Sequence, residues 1–426
     1  MPIRLTAATS LAKVTLAAFA LSLAISALSQ QKAKSLTSLA LVGAKVYATP
    51  TAAPIEDSVV VISDGKVAAI GRRGQVPIPK NAQVIDCKGK VVTAGFWNSH
   101  VHFTEDVWNG AATAPAEKLE QHMREMLTRW GFTTVFDIGS FPGDTLALRK
   151  RVDSGEVPGP KIYTTAGAIY PENGIPVYIP QPIREQIKRF EAPTPADAAK
   201  LAQQELAMGG DGIKLFTGAI MGHGKVTPMP ADVVRAAVEV AHTAGKPVFA
   251  HPSNHVGTDN ALAGGVDVLA HTIPEEGSGW TPEELQRMKT QHTALIPTLT
   301  LWEVELEKQH ASAEDERQFV QSGVNELKTY FDQGGTILFG TDVGYTQHYD
   351  TTEEYVLMAK SGMTWRDILV SLTTNPAMFF KAGHRGELAK GEAADLVVLD
   401  GDPAADARNF AKVDYTIRAG QVIYQK

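Results

Sequence analysis

Cysteine is nearly missing from this chain of 426 residues: Cys87 stands alone. One thiol excludes an intrachain disulfide, and its setting in VIDCKGK marks it as neither nucleophile nor metal ligand, so it reads as a strand thiol. Positive charge is also in short supply. Forty Lys and Arg face 47 Asp and Glu, a net charge of -7, with no long basic patch or Arg-rich tail. Nucleic acid is therefore not an expected partner. Hydrophobic residues make up 44% of the chain, which supports a substantial core and argues against pervasive disorder. The length accommodates one large domain and a smaller one.

Long apolar runs are confined to the beginning. In residues 1–31, Arg4 and Lys13 precede VTLAAFALSLAISALS, and small residues follow at Ala27 and Ser29. The run has the length of a signal h-region and is shorter than a usual membrane span. It predicts cleavage near Ser29 and export to a bacterial periplasm or the medium, leaving no stable membrane span; retention as an anchor is the alternative. No cysteine follows the run, so an attached lipid is not indicated.

Both ends of the remaining chain have the texture of antiparallel sheet. LALVGAKVYA, SVVVISDGKVAAIG and AQVIDCKGKVV are separated by turn signals such as Asp64-Gly65, and ADLVVLDGDP and VDYTIRAGQVIYQK return to the same pattern. Residues 37–92 and 382–426 are therefore expected to build one small β-sandwich domain. Residues 93–381 instead alternate short apolar strands with amphipathic helices. The strands are VVTAGFWNSH, TTVFDIG, KIYTTA, GIKLF, PVFAH, VDVLAH, ALIPTL and TILFGTD, and helical stretches such as PADAAKLAQQELAMGG end on glycine. Eight strands with crossover segments predict an α/β fold, a (β/α)8 TIM barrel, with an open doubly wound sheet as the alternative. The proline-rich segment 169–186 reads as a long loop above the third strand.

Six polar residues sit at the ends of these apolar runs. His100 and His102, two apart on one strand, project from the same face, and a barrel would aim both at its mouth. Imidazole nitrogen suits a borderline divalent ion. His251 closes PVFAH, His271 closes VDVLAH and Asp342 closes TILFGTD, so successive βα units bring them to the same rim. Strands one and eight are neighbours in a closed barrel, which sets Asp342 beside His100. Lys214, in DGIKLF, is the odd member, because an ammonium would be repelled by divalent ions. A buried neutral lysine can instead take up carbon dioxide to form a carbamate whose oxygens bridge two metals. Pairing with Asp211, anchoring of a substrate anion and Schiff-base chemistry are the other readings of this lysine.

In these motifs the chain resembles the amidohydrolase superfamily, specifically its imidazolonepropionase-like and Xaa-Pro dipeptidase-like members, including ochratoxin-hydrolysing relatives. The resemblance runs from residue 37 to 426 through GFWNSHVHF, GGDGIKLFTG, His251 and His271, FGTDVG, TTNPAMFF and GELAKGEAADLVVLDGDP. It implies that His100 and His102 bind the more buried metal and His251 and His271 the more exposed one. By the same resemblance, N6-carboxylated Lys214 bridges both, and Asp342 ligates the first metal while acting as base and acid. Imidazolonepropionase-type relatives use one metal and lack this lysine, so the binuclear, peptidase-like branch is implied.

Two divalent ions, with zinc favoured over manganese, iron or cobalt, would then serve an amide hydrolase. The expected substrates are small molecules or short peptides: dipeptides, N-acyl amino acids or amino-acid conjugates such as ochratoxin-like amides. Cyclic amides or imides are the alternative, and a non-enzymatic binding protein is the more distant one. His255, Tyr345 and His348 are the candidates for contacting a substrate carboxylate or oxyanion, with Tyr170 and Tyr178 behind them. One departure is plain: many relatives carry a Gly-Gly-His element after the third strand, whereas TTAGAIYPENGIPVY contains no histidine. His255 or Tyr170 must then take that role, or the substrate differs. A homo-oligomer is compatible with the exposed ends.

Overall fold

The computed structural model describes residues 38–426 apart from positions 223, 275, 276 and 278. The expected signal segment lies outside the described residues. Among the described residues, no helix is long and apolar enough to cross a membrane.

The first strands are β1 (Leu39–Val42), β2 (Lys45–Val46), β3 (Ser58–Ser63), β4 (Lys66–Arg72), β5 (Gln83–Asp86) and β6 (Val91–Ala94). They feed two sheets. One has the order β4-β3-β1-β5. The other joins β2 and β6 to the C-terminal strands β18 (Leu396–Leu399), β19 (Val413–Arg418) and β20 (Gln421–Gln425), in the order β2-β6-β18-β19-β20. Alternation sends Leu39, Leu41, Val60 and Ile62 into one apolar cluster with Val92, Ala94, Leu396, Val398 and Ile417. Residues from both ends of the chain thus share that cluster, and Cys87 is buried within it.

The run VVTAGFWNSH, read as one strand, is two. Gly95 separates β6 from β7 (Phe96–Val101), and the two pair with different sheets. A Cβ at Gly95 would stand 2.2 Å from Thr133 Oγ1, so only glycine lets the chain pass there. Parallel pairing then runs from β7 to β8 (Phe132–Asp137) and β9 (Lys161–Thr164). Short strands β10 (Tyr170–Pro171) and β11 (Glu191–Ala192) pair with each other above it. A parallel bridge from Ile169 to Leu215 leads to β12 (Ile213–Leu215), after which β13 (Gly218–Ile220) and β14 (Val226–Pro228) form a small antiparallel pair. From β12 the parallel series continues through β15 (Val248–Ala250), β16 (Val268–Ala270) and β17 (Ala294–Ile296).

The last apolar run, TILFGTD, was expected as a strand but carries only isolated bridges. Its backbone is shared among several partners. Leu338 N–H donates to Leu295, Phe339 N–H to the Ser371 carbonyl, and Thr341 N–H faces the Asn98 side chain. No regular ladder survives that division. Even so, Leu295 bridges Ile337 and Val101 bridges Val343, both parallel, so the pairing that leaves β7 returns to it. Gly340 permits the closure, since a Cβ there would meet Ile296 at 2.4 Å and His100 at 2.8 Å.

Alternation along these strands sorts two layers. Phe136, Phe249, Val268, Ala294, Ile296 and Leu338 pack together, while Val135, Leu269, Leu295 and Phe339 turn the other way into the large cluster shared with the helices. The helix Pro195–Ala207 starts on Thr194, whose side chain accepts the Asp197 N–H, with Pro195 at the first position. The helix Ala231–Thr243 buries Val233, Val234, Ala237, Val238 and Ala241 on one face, and the chain turns at Gly245 with φ 67°. Segment 169–186, expected as a loop, opens on the two-residue strand β10, and a short helix, Gln181–Ile187, closes it.

Candidate metal centre

Four of the six polar residues singled out lie at or just beyond the C-terminal end of a strand, Lys214 sits in the middle of a short one, and Asp342 follows a segment without a ladder. His100 is on β7 and His102 just past it, Lys214 is on β12, and His251 and His271 directly follow β15 and β16. All are buried or nearly so, with Lys214 1% and Asp342 4% exposed. His271 and Asp342 also have left-handed backbones, φ 81° and φ 58°. Such conformations cost non-glycine residues roughly 1–3 kcal/mol each and persist where surrounding contacts impose them. For Asp342 one such contact is its N–H bond to the His100 carbonyl, 2.9 Å.

Three donor atoms converge. Asp342 Oδ1 lies 3.1 Å from His100 Nε2 and 2.9 Å from His102 Nε2, and the two Nε2 atoms are 3.2 Å apart. His102 Nδ1 stands 2.9 Å from the Gly139 carbonyl, which can only accept, so that nitrogen carries the proton and Nε2 presents a lone pair. A lone pair facing a carboxylate oxygen at 2.9 Å is repulsive unless a cation or a further proton sits with them. Asp342 Oδ1 is buried and has no hydrogen-bond partner of good geometry. These donors fit a divalent ion, in chemistry and in spacing, within 4.8 Å of one another.

The other candidates flank this trio. The His271 ring centre is 4.7 Å from that of His100 and 4.6 Å from that of His251, and His271 Nε2 is 4.0 Å from Asp342 Oδ2. Phe216 stacks on His251 at 4.9 Å, and Lys214 Nζ lies 5.6 Å from the centre of the same Phe216 ring. Asp211, the alternative partner for Lys214, is held elsewhere, by Arg149 at 2.8 Å and Lys246 at 3.6 Å.

Burial dominates the protonation equilibria. It lowers Lys214 to about 7, with Asp342 opposing, so the neutral amine is accessible near neutral pH. It pushes His100 down to about 3, against the pull of Asp342, and holds His251 and His271 well below the usual histidine range. For Asp342 burial acts upward, but His100 and His102 outweigh it and keep the carboxyl well below its usual range.

The cluster opens into a cleft of about 740 Å³. Tyr345 lines it, with its hydroxyl donating to Glu305 Oε1 at 3.0 Å, and Tyr170 and Tyr178 line it as well. His255 and His348 are not among its described lining residues. His255 begins the helix His255–Gly264 and is tied through Nδ1 to Glu284 at 2.8 Å, while His348 is exposed on the loop after Asp342. Sequence reading passed over Thr298. Its φ is 46°, and its Oγ1 lies 2.6 Å from His271 Nδ1. Nothing in ALIPTLTL signals this contact, which depends on the turn after β17.

The chain belongs to the amidohydrolase family, whose profile matches residues 91–423. An uncharacterized protein of Mycobacterium tuberculosis is 26% identical over 201 residues, 45% of this chain and 51% of that protein, so the match spans about half the length of that relative. Among solved structures, a putative prolidase from Bifidobacterium longum superposes with TM-score 0.77 and 24% identity, covering 92% of this chain and 95% of that one. The A. niger ochratoxinase gives TM-score 0.74 at 19% identity, covering 91% and 96%. Both likenesses are of fold.

Proposed function

We propose that the protein is a binuclear metal-dependent hydrolase of amide bonds in small molecules: dipeptides, N-acyl amino acids or amino-acid conjugates. The observation that carries this reading is the approach of His102 Nε2 to Asp342 Oδ1 at 2.9 Å, with His100 Nε2 beside them. In this reading His100, His102 and Asp342 hold one ion, His251 and His271 the other, and N6-carboxylated Lys214 joins them. The lowered basicity of Lys214 supports carbamate formation, which needs the free amine. Divalent ions, zinc first among them, supply Lewis acidity toward a carbonyl and acidify bound water.

The chain's own residues do the rest. Asp342, an ionised carboxylate, accepts a proton from the attacking water and returns it to the leaving amine, which departs poorly unless protonated. The Gly139 carbonyl and Thr298 fix the orientation of His102 and His271. Tyr345 is the candidate for contacting the substrate, since it lines the cleft; His255, engaged by Glu284, and exposed His348 have less support. We read the closed parallel pairing as a (β/α)8 barrel and the shared cluster of the two chain ends as a β-sandwich domain. The sequence 1–31 supports an exported enzyme. The structural neighbours, a putative prolidase and an ochratoxinase, accord with amide cleavage.

The test is a metal-supplemented hydrolysis screen of dipeptides, N-acyl amino acids, lactams and ochratoxin-like amides, with products identified by mass. Amide cleavage that requires added divalent ion and vanishes in Asp342→Asn is expected. Full activity in that variant, or in metal-stripped protein, overturns the reading.

A further inference from the structure

The cleft says more about the substrate than the metal cluster does. One wall is an aromatic column that starts at the cluster: Phe216 stacks on His251 at 4.9 Å and 26°, and Tyr170 stacks on Phe216 at 4.7 Å and 22°. Beyond it, Phe141, Ile183, Ile187 and Phe190 pack with Tyr170 and Phe216 in a single apolar cluster. Leu301, Trp302, Leu306 and Phe319 line the cleft as well, and the Trp302 indole N–H is already spent on Thr272 at 2.9 Å.

Charge is scarce among the described residues of these walls. Among the described lining residues there is no arginine. The two lysines are Lys214, within the metal cluster, and Lys225, which is exposed. Outside the cluster the carboxylates are exposed Asp106 and Glu305, and Glu305 is engaged by Lys308 at 2.8 Å and by the Tyr345 hydroxyl at 3.0 Å. An ammonium or carboxylate seated among these apolar side chains would lose its hydration and, among the described lining residues outside the metal cluster, meet no buried unpaired opposite charge. An aromatic ring there gains stacking surface and displaces water from apolar carbon.

We infer that one side of the scissile amide carries an uncharged, aromatic-sized group that packs in the cleft lined by the Tyr170–Phe216 column and Trp302. This rests on the proposed amide-hydrolase reading and narrows it. Within that class it favours N-aroyl, N-arylacyl and aryl-amine conjugates over small dipeptides charged at both ends.

The experiment uses metal-loaded full-length protein and three compounds: 2,N-diphenylacetamide, its derivative with a para-carboxylate on the acyl ring, and its derivative with a para-carboxylate on the anilide ring. Dissociation constants are measured by calorimetry on the Asp342→Asn variant and kcat/KM on the wild type. The neutral compound is expected to bind with micromolar affinity, and at least one carboxylate is expected to weaken binding tenfold or more. The ring that suffers more identifies the half of the substrate held in the cleft. Ile183→Arg, which sets a guanidinium on the wall, is expected to recover most of that loss. Carboxylates that cost less than twofold on both rings, or that improve binding, overturn the inference, as does failure of the neutral compound to bind at millimolar concentration. Selective binding of the neutral compound with no cleavage by metal-loaded wild type sustains the inference about the cleft and defeats the hydrolase reading instead.

Discussion

His271 Nδ1 lies 2.6 Å from Thr298 Oγ1, and that contact decides which nitrogen of His271 faces the cluster. The Thr298 hydroxyl has one proton, given to the Pro297 carbonyl at 2.8 Å, so the imidazole must be the donor. Nε2 is left with its lone pair toward Asp342. Thr298→Val removes the acceptor while keeping the shape, and is expected to weaken metal binding by about 10–100-fold. Competition against a chelating dye measures this; unchanged affinity would show that His271 does not need Thr298 for its orientation.

Gly344 is the second point of control. Its φ is 98°, and a Cβ there would stand 1.8 Å from the carbonyl oxygen of His102. Gly344→Ala must therefore move the loop after Asp342 or the strand end that carries His102. A loss of about 2–4 kcal/mol in stability is expected, together with weaker metal retention. Chemical denaturation and metal content per chain after dialysis report the two effects.

Glu354 gives a pH dependence. It is fully buried and accepts from the N–H groups of Leu299 and Thr300 at the start of the helix Leu299–Lys308, beside Thr298. Burial raises its carboxyl to about 7, against the pull of those hydrogen bonds. With the folded value above the unfolded one, the folded state holds more protons between about 4.5 and 7. Its contribution to stability is complete below that window and is lost as pH rises through it, with a slope of at most about 1.4 kcal/mol per pH unit. Glu354→Gln is expected to flatten that slope relative to wild type in denaturation series at stepped pH. Parallel curves for the two proteins would sink the assignment.

Glu205 is costly where it stands. It is 1% exposed on the inner face of the helix Pro195–Ala207, and neither carboxylate oxygen has a hydrogen-bond partner among the described residues. Burial pushes its carboxyl well above the usual range. Glu205→Met keeps the length and removes the unsatisfied oxygens, so a gain of about 1–3 kcal/mol is expected. A thermal or urea melt of the variant that shows destabilisation would mean that Glu205 has a role not visible in its surroundings.

Period-two and helical patterning made most elements legible, because a strand or helix that buries one face must repeat its apolar residues at that spacing. The departures occur where tertiary contacts override the pattern. VVTAGFWNSH divides at Gly95 because Thr133 leaves no room for a side chain there, and TILFGTD fails to form a ladder because its backbone groups are shared among Leu295, Ser371 and Asn98. His255 looked available four residues after His251, yet Glu284 on another helix engages it, and no pattern along the chain could have announced that pair.

The sequence by itself determined the family, most of the polar residues that close its apolar runs, and the anomaly of a lysine among histidines, because residue type and spacing along each run fix those facts. Tertiary structure alone decided the rest: which nitrogen each histidine presents, which carboxylates are already paired, and how apolar the cleft becomes once distant loops meet. Those properties belong to contacts between segments remote in the chain, and such contacts exist only after the parallel pairing has returned to its first strand.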